Sequence, residues 1–162
     1  MGRPRKAGVP LSNANFWIPW SSLLSYHSDF FRGLFESPLN KKGQTEFPIQ
    51  EVKFEHLATL LSLIQDNPIK PNANDLRALL ALVDRFLIPT VKRQLDLMIP
   101  HVADLRKESA KYIKLADEFD LEHTLNTAIS FMNRYEMENN KKLFKNASDK
   151  TKLALFNRYV EL

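Results

Sequence analysis

The chain has 162 residues, 44% of them hydrophobic and 26% charged, a composition that supports one globular domain with a real core and excludes a disordered chain. It has no cysteine, so disulfide staples and thiolate zinc sites are excluded and a reducing, intracellular setting fits. A formal net charge of +4 is weak support for nucleic acid, and no apolar run approaches the ~18 residues that a membrane helix needs.

Residues 1–15 are small, basic and broken by Pro4 and Pro10, which predicts a solvated tail with no apolar signal core before Phe16. Gly2-Arg3-Pro4-Arg5 matches the core of an AT-hook, in which Arg-Pro lies in an A·T-rich minor groove. Only Lys6 follows as a flanking cation, so the tail reading is preferred and nucleic acid is not expected as a partner. FWIPW (residues 16–20) reads as a short strand or a capping segment.

Residues 21–37 read as two short helices. Ser21 or Ser22 suits the first cap and Ser28 the second, with Asp29 favouring a helix start. Phe30, Phe31, Leu34 and Phe35 share one face, Gly33 offers room for a close approach, and Pro38 ends the helix. After a loop at 40–45, residues 46–52 (EFPIQEV) alternate and predict a strand, with Pro48 at an edge. A helix over 53–65 sets Phe54, Leu57, Leu61 and Ile64 on one side. Asn72 or Asn74 caps the next helix, which carries Leu76, Leu79, Leu80, Val83, Phe86 and Leu87. Pro89 opens another helix and Pro100 is expected to close it. Beyond lie helices over 107–119 and 122–134, a break at 139–142, a short helix at Leu143 and Phe144, and a last helix capped by Ser148 with Leu153, Phe156 and Val160 in register.

The centre of the chain repeats itself. A shift of 33 residues lays Leu82-Val83-Asp84 on Leu115-Ala116-Asp117, Phe86 on Phe119 and Ile88 on Leu121. Each copy reads as a helix end, a tight corner and a new helix start. Two copies are too few for a solenoid.

No site chemistry stands out. His27, His56, His101 and His123 fall in no metal-ligand spacing, and no metal site is expected. Asp117-Glu118 share their helix with Lys111 and Lys114 and read as a solvated face. The four glycines form no phosphate cradle and there is no GxSxG elbow, so a cofactor-free binding protein is expected and no enzyme.

LLSYHSDFFRGLF (residues 23–35), EFPIQEV, the Leu-rich helices and the A/V-D-x-F corner together resemble a BTB/POZ domain, of the kind found after MATH domains. The resemblance covers 16–100. Residues 101–162, with a second L-A-D-x-F-x-L, resemble the BACK-like helices that follow such domains. It implies a predominantly helical α+β fold with short strands and a C-terminal helical extension. No D-V-x-L segment opens the chain, so the domain is expected to lack its first strand.

The resemblance further implies an interaction module that homodimerises and, in many relatives, binds a cullin scaffold as a substrate adaptor of a ubiquitin ligase. Trp20, Leu23, Leu24 and Phe31 fall in the dimer-helix region. Ile64, Gln65, Asp66 and Ile69 fall in the cullin-facing loop, where Ile64-Gln65-Asp66 stands for the family's hydrophobic-x-Glu with Asp in place of Glu. The alternatives are a DNA-associated protein using the basic tail and a structural remnant with no cullin binding. No substrate is named by the sequence.

Overall fold

The computed structural model describes residues 15–17, 21–38, 46–65 and 68–162. Most of the basic tail, Trp20, the loop expected at 40–45 and Asp66 lie outside the described residues. Among those described, ten helices and two three-residue strands form a helix-dominated α+β fold.

β1 (Asn15–Trp17) and β2 (Glu46–Pro48) pair antiparallel, with Phe16 opposite Phe47. Asn15, counted with the tail from sequence, therefore belongs to the sheet. The strand expected over 46–52 stops at Pro48, whose missing N–H suits the end of a ladder. Glu51 then turns the chain at φ 57°, and Ile49 and Val52 pack against the core instead of extending the strand.

α1 (Ser21–His27) and α2 (Asp29–Glu36) form a tight pair. Ser28 caps α2 by accepting the Phe31 N–H at 3.0 Å, and its buried hydroxyl donates to the distant carbonyl of Phe86. Phe31 stacks among Phe30, Phe35 and Phe86, with centroids 5.1–5.9 Å away, which adds directional ring contacts to plain apolar burial. Gly33, expected at a close approach, instead faces open space.

α3 (Phe54–Ser62) buries Leu57, Leu60 and Leu61. Phe54, expected on that side, is 48% exposed, because the buried stripe begins only one turn later. Before α4 (Leu76–Arg85) neither asparagine caps the helix. Asn72 accepts the Asn74 N–H at 2.9 Å, an Asx turn, and Asp75 occupies the cap position without a side-chain bond.

α5 (Pro89–Val102) begins with Pro89 in its first turn but runs through Pro100. The expected stop fails for a specific reason. A proline removes the N–H that would bond the carbonyl four residues back, here that of Asp96. The buried Thr124 hydroxyl donates to that carbonyl at 3.1 Å and replaces the lost bond. The Asp96 carboxylate also accepts the N–H groups of Thr124 at 2.8 Å and His123 at 3.0 Å. It therefore caps α7 (Glu122–Ser130) from another helix, where negative charge suits the positive helix end.

α6 (Ser109–Phe119) pairs with α7, and α7 packs on α5. The two corners found as a repeat share one backbone solution. Leu87 and Asp120 take φ 51° and 50°, while Ile88 N–H bonds Val83 O at 3.1 Å and Leu121 N–H bonds Ala116 O at 2.9 Å. This is the six-to-one bond of a Schellman helix end. Phe86, Ile88, Phe119 and Leu121 are all buried at these corners.

The helix expected over 122–134 ends at Ser130, because Asn133 and Glu136 form a reciprocal capping box that starts α8 (Arg134–Asn139). α9 (Lys141–Phe144) follows after one residue. Ser148 caps α10 (Asp149–Glu161) as expected. The buried side of α10 was misplaced, however. Leu153, Phe156 and Val160 are 62%, 63% and 67% exposed, while Thr151 and Leu155 face the core. Helical spacing alone leaves open which stripe a neighbour covers, and here α7 covers the other one.

Candidate interaction surfaces

The residues expected to bind partners divide by burial. On α1, Leu24 is 1% exposed and Phe31 on α2 likewise, so both belong to the core and present no surface to a partner. That corrects the dimer-face expectation for these two residues. Their burial follows from the α1–α2 pairing and the aromatic cluster around Phe86. Leu23 stays on the surface, beside Tyr26, which is 83% exposed. The end of α1 meets the first corner: His27 Nδ1 lies 3.4 Å from the Thr90 hydroxyl, and Ser28 bonds Phe86. Exposed Leu87 sits on that same corner. Sequence reasoning missed Tyr26 and Leu87. The i, i+3 spacing of Leu23 and Tyr26 was the available signal for the first.

The turn after α3 is held by Ser62, which donates to Thr59 O at 2.7 Å and accepts the Ile69 N–H at 2.9 Å. Gln65 and Ile69 face solvent. Ile64 is half-buried and packs against the core, which leaves it a limited outward surface.

The second corner is more polar. Burial of the Asp117 carboxyl raises its pKa, but hydrogen bonds from the Ser148 hydroxyl and N–H outweigh this and hold it below the ordinary carboxylate value. Lys150 bonds Asp120 at 3.0 Å, and that carboxylate raises the lysine pKa. Burial pushes the Tyr112 hydroxyl up, against the opposing charge of Lys111. The Ser148–Asp117 and Lys150–Asp120 bonds tie α10 to the second corner, and Lys111 lies separately over the Tyr112 ring. Among the described residues no cluster of three or more His, Cys, Asp or Glu side chains could hold a metal, and no helix is long and apolar enough to cross a membrane.

The family model for the BTB/POZ domain matches residues 21–102, half of the chain. The chain is 29% identical over 150 residues to BTB/POZ domain-containing protein Y57A10B.3 of Caenorhabditis elegans, covering 88% of this chain and 45% of that protein. It is 27% identical over 108 residues to BTB and MATH domain-containing protein 36 of the same organism, covering 67% of this chain and 33% of that one. The chain thus spans less than half the length of these relatives. The aromatic cluster, the α3 turn and the α4–α5 corner all fall inside the matched span, and the chain belongs to the BTB/POZ family, whose domains are protein–protein interaction modules.

Proposed function

We propose that two copies of this chain associate through the α1 face, and that the dimer engages a cullin scaffold through the turn after α3 and the appended helices. It would then act as a substrate adaptor of a ubiquitin ligase. One observation carries the reading: Leu23 and Tyr26 stand 38% and 83% exposed on a helix whose other side is anchored by Leu24. Exposed apolar surface rimmed by polar groups marks partner sites, and tyrosine is enriched where binding energy concentrates. A patch on one helix pairs naturally with itself across a two-fold axis. For the scaffold, Gln65 and Ile69 offer a polar and an apolar contact on a turn braced by Ser62.

Sedimentation equilibrium tests both halves separately. The chain alone is expected at twice its 18.8 kDa protomer mass, and the double substitution Leu23→Asp and Tyr26→Asp is expected at the protomer mass with an unchanged circular dichroism spectrum. A wild-type chain that remains a protomer at high micromolar concentration removes the dimer. Adding a cullin N-terminal domain should raise the mass, Ile69→Asp should prevent that, and Asp66→Glu should strengthen it. No change in mass with wild type and Asp66→Glu alike removes the scaffold role and leaves the dimer standing.

A further inference from the structure

We infer that the groove between α8–α9 and α10 is a docking site for an acidic amphipathic helix of another protein. The groove has a volume of about 590 Å³. Met137 and Leu155 form its buried floor, Phe144 is half-buried, and Phe156 and Tyr159 make an aromatic wall. Its charged lining consists of Lys141, Lys145 and Lys152, with no Asp or Glu among the lining residues. Among the described residues Lys141 and Lys145 make no ion pair, while Lys152 reaches Asp149 at 3.4 Å. At one end Arg134 stacks over the Tyr159 ring, 4.9 Å from its centroid, and adds a further cation.

These features select the occupant. From Lys152 to Tyr159 the wall runs seven residues along α10, about 10 Å at 1.5 Å per residue, which matches two turns of a bound helix. A helix lays apolar side chains at i, i+3, i+4 and i+7 into such a groove. Lysines along the rim then meet carboxylates on the flanks of that helix, the arrangement that gives specificity and rapid association. The groove is open along its length, so an elongated segment suits it better than an enclosed small molecule. A second copy of α10 suits it poorly, because Lys150, Lys152 and Arg158 would approach cations already there. The site lies outside the matched BTB/POZ span, on the appended helices, and its peptide test requires neither the α1 dimer nor added cullin.

The test is fluorescence anisotropy of the full chain with a labelled fourteen-residue helical peptide that carries Leu and Phe at the four anchor positions and Glu elsewhere. Its partner probe carries Lys in place of every Glu. The acidic peptide should bind at least tenfold more tightly than the basic one. Lys141→Glu with Lys145→Glu should weaken the acidic peptide at least tenfold; both lysines are exposed and make no ion pair among the described residues, so the melting temperature should not move. Phe156→Ser should weaken it similarly, whereas Leu153→Ser, outside the groove lining, should leave it unchanged. The inference is overturned if the two peptides bind alike, if the acidic peptide does not bind, or if Leu153→Ser acts as strongly as Phe156→Ser. Binding to phosphatidylserine vesicles that the two Lys→Glu changes abolish, without peptide binding, would assign the groove to a membrane surface instead. A dimer dissolved by Phe156→Ser, again without peptide binding, would assign it to a second copy.

Discussion

The two helix corners share a backbone and differ in what pins them. In each, a helix ends on a residue with φ near 50°, a six-to-one bond closes the turn, and a phenylalanine is buried beside it. In each, the N-cap serine of a helix outside the hairpin also reaches the corner. Ser28 of α2 donates to the Phe86 carbonyl in a buried site. Ser148 of α10 donates to the Asp117 carboxylate on the surface. The first corner is thus locked by apolar packing and a shielded hydrogen bond, the second by a solvated polar network. Identical local geometry can carry quite different amounts of stability, because burial decides what each contact is worth.

The largest expected effect comes from removing the rings. Phe86→Ala should cost about 3–5 kcal/mol in urea unfolding, because Phe86 sits fully buried among Phe30 and Phe31. Phe119→Ala should cost less, near the lower end of that range, because Phe119 keeps slight exposure and joins no such ring cluster among the described residues. Equal losses would mean that the aromatic cluster adds nothing to the first corner.

The serines come next. Ser28→Ala removes a cap and leaves a buried carbonyl unbonded, so a loss of about 2–3 kcal/mol is expected. Ser148→Ala should cost about 1 kcal/mol, the worth of an exposed cap. The second loss should also depend on pH. Asp117 has a folded-state pKa below its unfolded value, so its contribution is complete above the unfolded pKa and disappears as pH falls through the folded one. The gap between thermal melts of Ser148→Ala and wild type should therefore narrow in acid to the share that the cap alone carries. A gap undiminished at pH 2 would show that the cap alone, and not the carboxylate, carries the difference.

The smallest effect concerns the left-handed residues themselves. A leucine at φ 51° is strained, whereas aspartate tolerates this region better. Leu87→Gly should stabilise the chain by about 0.5–1 kcal/mol, and Asp120→Gly should change it by less than about 0.5 kcal/mol. If Leu87→Gly also weakens the proposed dimer, the strained and exposed leucine is held there for contact with a partner.

Some of this was legible in the residues and some was not. The 33-residue repeat, the start of α5 at Pro89 and the Ser28 and Ser148 caps depend on neighbours a few positions away, and the sequence pattern announced them. The family resemblance placed Leu24 and Phe31 at a partner face, and their spacing is equally good for a core. Only the packing of α1 and α2 against Phe86 assigns them inward.

The division follows from the range of the forces. Helix periodicity, caps and left-handed corners are set by steric and hydrogen-bonding rules within one or two turns, and the chain alone determined them. Which apolar stripe is covered depends on elements distant in sequence. Tertiary packing turned Leu153, Phe156 and Val160 of α10 to the solvent and Leu155 inward. It carried α5 through Pro100 because Thr124, 24 residues later, supplies the hydrogen bond that proline cannot. No local pattern contains that donor, so only the folded arrangement of α5 against α7 decides it.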